Sequence, residues 1–100
     1  MRGRKDSNQN EIVEILESAH LDVIDLSSVP VNLPELADAP DIVVGGMHQV
    51  WKICINILVE IKTDKGKLRA GQVESKDRWR GRWIVARTAD DILKEFGYDI

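Results

Sequence analysis

Trp51-Lys52-Ile53-Cys54-Ile55-Asn56-Ile57-Leu58-Val59-Glu60-Ile61-Lys62 is the stretch that decides the fold. Trp51, Ile53, Ile55, Ile57, Val59 and Ile61 fall on one parity, and Lys52, Cys54, Asn56, Leu58, Glu60 and Lys62 on the other. Period two over this length predicts a strand with one buried face. Downstream, Asp64-Lys65-Gly66-Lys67 reads as a turn and Leu68 to about Trp79 as a helix, which Gly71 weakens. Arg82 to Arg87 reads as a further strand. Thr88 with Asp91 three residues on is a capping signal. Ala89, Ile92, Leu93 and Phe96 then form the stripe of a last helix, which Gly97 ends.

Upstream, Asp41-Ile42-Val43-Val44 predicts a short strand stopping at Gly45-Gly46. Pro40 suits its start, where a missing N–H costs little. Pro30, Pro34 and Pro40 exclude regular helix between them and imply a loop. Leu21 to Leu26 reads as a strand. Ser7-Asn8 followed by Glu11 reads as a helix start, and Ile12, Ile15, Leu16 and Ala19 supply the apolar face. The expectation is a single α/β domain over residues 1–100, with a small mixed sheet and helices packed on it. Residues 1–7 are expected to be a flexible basic arm.

Composition agrees. The 100 residues suffice for one core, and 43% apolar with 31% charged residues is a globular balance. No apolar run reaches the roughly 18 residues of a membrane span. The basic N-terminus lacks the apolar stretch of a signal peptide. One cysteine, Cys54, cannot close an internal disulfide, which predicts a cytoplasmic setting. The net charge of −3 conceals segregation. Acidic residues gather before Asp41, and basic ones at Arg2, Arg4 and Lys5 and again at Lys76, Arg78, Arg80, Arg82 and Arg87. Such a cluster is either a solvated surface or a phosphate-binding face.

Glu60 and Lys62 are two apart, so they project from one strand face, opposite Val59 and Ile61. Asp41 opens another strand. If the two strands pair, its carboxylate approaches that of Glu60. Two carboxylates about 4 Å apart repel by roughly 4 kcal/mol at an effective dielectric near 20. A divalent cation reverses that penalty, which predicts a hard-metal site for Mg2+ or Mn2+. The requirement is that both carboxyl groups share one side of the sheet. Zinc is disfavoured, because His20, His48 and Cys54 lack a structural zinc spacing. Both histidines read as ordinary surface or loop residues. Lys62 beside a cation could orient an attacking water or neutralise transition-state charge. The plainer explanation of Glu60-Ile61-Lys62 is an exposed ion pair of small energetic value.

Pro40-Asp41 followed by Glu60-Ile61-Lys62 resembles the PD-(D/E)xK nuclease motif. Pro40-Asp41-Ile42-Val43-Val44-Gly45, Gln9 and Glu11 on the first helix, and Gln72, Trp79, Gly81 and Trp83 after the motif make the chain similar to the virus-type replication-repair nuclease (VRR-NUC) family in its minimal stand-alone form. The resemblance runs from about Gln9 to Phe96. It implies a restriction-endonuclease-like sheet flanked by helices. It also implies a metal held by Asp41, Glu60 and the carbonyl of Ile61, with Glu11 at the same site and Gln72 supporting Lys62 or the substrate phosphate. Arg69-Ala70-Gly71 departs from the Thr-Pro helix start of the family. The activity implied is a magnesium- or manganese-dependent endonuclease acting on branched DNA such as four-way (Holliday) junctions. A homodimer is implied as well, and the host cytoplasm if the source is a phage. Arg4, Lys5, Lys76, Arg78, Arg80 and Arg82 would hold DNA phosphates, and Val50, Trp51 and Ile53 could join a subunit interface. Trp79 and Trp83 read as core or interface residues more readily than as base-stacking platforms. The competing reading of Glu11 is a capping box with Asn8. The competing readings of the whole are a flap or nicking nuclease, and a non-catalytic DNA-binding module.

Overall fold

Alternation in the central segment becomes one strand of a four-stranded mixed sheet in a computed structural model, which describes residues 8–27, 38–63 and 65–100. The expected arm at 1–7 with Arg4 and Lys5, the residues Ser7, Pro30 and Pro34, and Asp64 lie outside the described residues. The elements are α1 (Gln9–Ser18), β1 (Asp22–Asp25), β2 (Ile42–Met47), β3 (Cys54–Ile61), α2 (Ala70–Arg78), β4 (Trp83–Ala86) and α3 (Ala89–Glu95). The sheet order is β1-β2-β3-β4. The first two pairings are antiparallel, and β3 with β4 is parallel through the α2 crossover. The order of elements and the α/β class are those read from the sequence.

Residues opposite one another in a ladder share a face. The row Ile42, Val59, Ile84 and the pair Val44, Ile57 therefore form one buried face. Against it pack Ile12 and Leu16 of α1, Ala89 and Ile92 of α3, and Phe96. The opposite face carries Val43, Leu58 and Trp83 in one row and Glu60 with Val85 in the next. Glu60 is only 3% exposed although its strand neighbours Val59 and Ile61 point the other way and are also buried. The end of β3 is thus covered on both sides, unlike a solvated sheet edge.

Local chemistry sets the ends. Thr88 Oγ1 accepts the Asp91 N–H and Asp91 Oδ2 accepts the N–H groups of Thr88 and Arg87. The same helix stops at Gly97, whose φ of 81° favours glycine. Its N–H and that of Tyr98 return to Lys94 and Leu93 carbonyls. Thr88→Ala should cost about 1 kcal/mol in denaturant unfolding.

Three boundaries differ from expectation. Strand β2 does not stop at Gly45-Gly46 but runs through both to Met47. The glycines serve close packing: a Cβ on Gly46 would stand 2.3 Å from Leu21 Cδ2, and one on Gly45 2.7 Å from Asn56 Oδ1. Gly46→Ala is expected to destabilise the fold by about 1–3 kcal/mol, seen as a lower denaturation midpoint, because buried Leu21 must move. At the other boundary, Trp51 to Ile53 are not strand. Lys52 adopts φ 58°, which breaks the extended chain, and Trp51 and Ile53 are exposed. Helix α2 spans Ala70–Arg78 rather than starting at Leu68.

Along α1, Ile12 and Leu16 are buried as expected, but Ile15 is exposed and Gln9 is fully buried. No capping box joins Asn8 to Glu11: the Asn8 side chain makes no cap hydrogen bond, and its Nδ2 donates to the Arg87 carbonyl. Among the described residues, no helix is long and apolar enough to cross a membrane.

Candidate metal and phosphodiester site

Asp41 stands immediately before β2, and the alternation of that strand puts its side chain on the Glu60 face. Its own N–H donates to the Val59 carbonyl at 3.0 Å, and its carbonyl accepts the Leu26 N–H at 2.8 Å. Its Oδ2 accepts the backbone N–H of Ile61 at 2.8 Å. That bond ties the Asp41 carboxylate to the end of β3, beside Glu60. The negative charge of Asp41 is felt there: burial first, and then Asp41, push the Glu60 carboxyl up from 4.5 to about 7. The two acidic groups are neighbours on one side of the sheet, as the metal hypothesis requires.

Lys62 points the same way as Glu60, with Nζ 3.3 Å from Glu60 Oε2 and its side chain largely covered. The pair is not the solvated ion pair of the plainer explanation. Gln72 comes from α2 and is buried. Its Oε1 accepts the Arg69 N–H at 3.0 Å, capping the helix, and its side chain lies close enough to Glu60 to favour the charged carboxylate. Lys62 and Gln72 both favour the charged carboxylate, yet desolvation and Asp41 outweigh them. Glu60 Oε1 remains buried with no hydrogen-bond partner. A buried charged oxygen without a partner is costly, on the order of 1–3 kcal/mol or more. Carboxylate oxygens are the donor type that suits Mg2+ or Mn2+.

Asp41, Glu60, Lys62 and Gln72 are thus brought together, with the Ile61 carbonyl between two of them in the chain. Glu11 is not. It is exposed on the first turn of α1, and among the described residues no group of three His, Cys, Asp or Glu side chains converges. The reason is helical phase. Gln9, Ile12 and Leu16 repeat at three- and four-residue spacing and face inward, which turns Glu11 outward.

Gln9 Nε2 donates to Asp25 Oδ1 at 3.3 Å and Ser27 Oγ at 3.1 Å, while Ser27 donates its N–H to Asp25 Oδ1 at 2.8 Å. This half-buried polar network fixes the end of β1, the strand that pairs with β2 beside Asp41. Position 9 was on the apolar stripe, which was the signal for it. Arg87 was also passed over as a structural residue. Its guanidinium donates to the carbonyls of Thr63 and Gly66, holding the turn that follows Lys62.

The expected phosphate-binding residues divide. Lys76 and Arg78 lie on the last turn of α2. Arg78 makes a long, exposed contact to Glu74 at 3.8 Å, and Arg80 is exposed. Arg82 is committed elsewhere: its Nε and Nη2 form a fork with Glu95 at 2.6 and 3.0 Å, which raises its pKa. His48 lies in the β2–β3 loop, as expected, but not on the surface. It is buried, its Nδ1 accepts the N–H groups of Val50 and Trp51, and its ring stacks on Trp51 at 3.9 Å. Trp83 is core, whereas Trp79 is half exposed and meets it edge-on at 6.4 Å.

Compared with known proteins, the chain matches no protein family, no curated protein and no solved structure. The functional reading therefore rests on the motif residues and their geometry.

Proposed function

We propose that the chain is a metal-dependent DNA endonuclease, similar to the VRR-NUC group of PD-(D/E)xK nucleases, hydrolysing phosphodiesters in branched DNA such as four-way junctions. The observation that carries this reading is Glu60: a buried carboxylate beside a second carboxylate, with one unpaired oxygen and a lysine 3.3 Å away. A structural ion pair needs one acid and one base; here the Glu60–Lys62 pair shares its face of the sheet with a second acid, Asp41.

Asp41, Glu60 and the carbonyl of Ile61 would hold Mg2+ or Mn2+. When bound, the ion would polarise the scissile phosphate and lower the pKa of a coordinated water. The protein's own part is placement. Ile61 N–H fixes Asp41, Lys62 pairs with Glu60, and the buried Gln72 side chain lies beside that carboxylate. The Lys62 ammonium, held on the Glu60 side, is placed to donate to a phosphate oxygen as negative charge grows there. Lys76, Arg78 and Arg80 offer cations for neighbouring phosphates, giving affinity that falls with salt. The exposed Val50, Trp51 and Ile53 at the β2–β3 turn are an apolar surface that pairing of two copies would cover, supporting the homodimer.

The test is incubation with labelled four-way junction, flap and linear duplex in magnesium, manganese or chelator. Cleavage is expected with either metal and none with chelator. Asp41→Ala should reduce cleavage to background with the fold intact by circular dichroism. Residual cutting by a purified Asp41→Ala, Lys62→Ala double variant would place the site elsewhere. DNA binding without any magnesium or manganese binding by calorimetry would instead favour a non-catalytic DNA-binding module.

A further inference from the structure

Next to the carboxylates, on the same face of the sheet, lies a cleft of about 400 Å³. Leu58 and Trp83, paired across β3 and β4, form its floor, and Arg78 at the end of α2 with Trp79 just after it form one wall. Pro40, the residue before Asp41, and Asp38 line the other side. We propose that this cleft receives a single unpaired nucleobase of the strand being cut, stacked on Trp79. The inference rests on the nuclease reading and names the substrate feature that reading leaves open.

Four observations point to that occupant. The first is placement. Leu58, Glu60 and Lys62 alternate onto one face, so the cleft floor begins about 7 Å along the strand from Glu60. A nucleotide flanking a phosphate held at Glu60 reaches that far and no further. The second is size. The volume sits at the small end of the roughly 300–1,000 Å³ range of ligand pockets, suited to one flat ring system and its sugar rather than to a partner helix about 10 Å across.

The third is the aromatic wall. Trp79 is 52% exposed, an unusual state for so large an apolar ring within a small fold. It is nevertheless held in place. Its ring meets Trp83 edge-to-face at 82°, and a Cβ on Gly81 would come within 2.9 Å of its Nε1, so the turn is built to let the indole lie close. A fixed, half-open indole is a stacking platform that accepts any base. The fourth is charge. Arg78 at the rim, with Lys76 on the same helical turn, supplies cations for the sugar-phosphate backbone entering the cleft. A base inside a duplex cannot reach such a wall without leaving its stack, so unpaired nucleotides at branch points, flaps and bulges become the preferred cutting positions.

The experiment compares two duplexes identical except at one bulged position, an unpaired adenosine in one and a reduced abasic residue in the other. Binding is measured with chelator present, so nothing is cut. The wild-type chain is expected to bind the adenosine bulge about tenfold more tightly. Trp79→Ala should abolish that preference, and Trp79→Phe, which keeps a ring, should retain most of it. Equal wild-type affinity for the two duplexes, or an undiminished preference in Trp79→Ala, overturns the inference. Cleavage of junction DNA in manganese is scored separately: cutting without base discrimination removes the cleft inference alone, while absence of both cutting and DNA binding removes the nuclease reading with it.

Discussion

Glu60→Gln is expected to make the metal-free protein more stable at pH 8 while removing its response to divalent cations. The carboxyl of Glu60 is raised from 4.5 to about 7, by burial first and by Asp41 second. Between those values the folded chain holds a proton that the unfolded chain has released. The stability associated with the protonated acid is complete below about 4.5 and is lost as pH rises through about 7. At pH 8 the charged, poorly solvated carboxylate costs on the order of 2 kcal/mol. Glutamine avoids that cost and still offers an amide oxygen to Lys62. A gain of even 1 kcal/mol corresponds to roughly 4–8 °C in melting temperature for a domain of this size. At pH 5 the advantage should nearly vanish, because the wild-type acid is then largely protonated. Added Mg2+ or Mn2+ stabilises the wild type by mass action, about 2.7 kcal/mol at a hundredfold excess over Kd. The same addition should leave the variant's melting curve in place. Scanning calorimetry at both pH values with and without manganese checks all of this. A variant less stable than wild type at pH 8, or one equally stabilised by manganese, would contradict it.

The elements that sequence reading located are those fixed by local chemistry. Thr88 and Asp91 cap a helix whatever else the chain does, and Gly97 takes the positive φ that ends it. The parity of Ile57, Val59 and Ile61 sufficed for β3 and for the face that meets α1 and α3. The misread boundaries were set by distant residues. Gly45-Gly46 looks like punctuation in sequence, but its smallness is demanded by Leu21 and Asn56 from other segments. Alternation continued past the true start of β3 because Trp51 and Ile53 are apolar, although a single left-handed residue, Lys52, had already turned the chain.

The candidate site shows the same division. Asp41, Glu60 and Lys62 were legible because strand parity and a paired strand are enough to put three side chains together. Gln72 came with a motif, and only the α2 crossover shows why it matters: the buried side chain that caps the helix sits beside the Glu60 carboxylate. Glu11 and Gln9 are the instructive pair. The family resemblance made Glu11 the candidate, whereas the inward stripe passing through Ile12 and Leu16 contains position 9. Periodicity was the better guide than residue type. Arg82 shows the complementary limit, since its partner Glu95 lies thirteen residues away on α3 and no local pattern announces the fork.

Lys62→Met should separate catalysis from cation binding, which Asp41 and Glu60 variants cannot do. Asp41 and Glu60 supply the negative charge that attracts the ion, so removing either is expected to weaken binding and cleavage together. Lys62 acts in the opposite electrostatic sense. Its ammonium lowers the Glu60 pKa by charge and by hydrogen bond, and it repels any cation placed beside the same carboxylate. Methionine keeps the apolar stem and deletes the charge. Manganese affinity at pH 8 should therefore stay level or rise, read by calorimetry. Metal-free stability at pH 8 should fall, because a buried acid has lost its partner, and manganese should restore most of it. Cleavage should nonetheless drop by about 10²–10⁴-fold, the range for losing a positioned proton donor or a transition-state charge. The dissociation constant for junction DNA in chelator should change little, since one covered ammonium contributes little to phosphate affinity beside Lys76, Arg78 and Arg80. Cleavage within tenfold of wild type would make Lys62 a counter-ion for Glu60 and nothing more. A loss of manganese binding equal to that of Asp41→Ala would mean that the amine organises the carboxylates, and that its place in the chemistry is indirect.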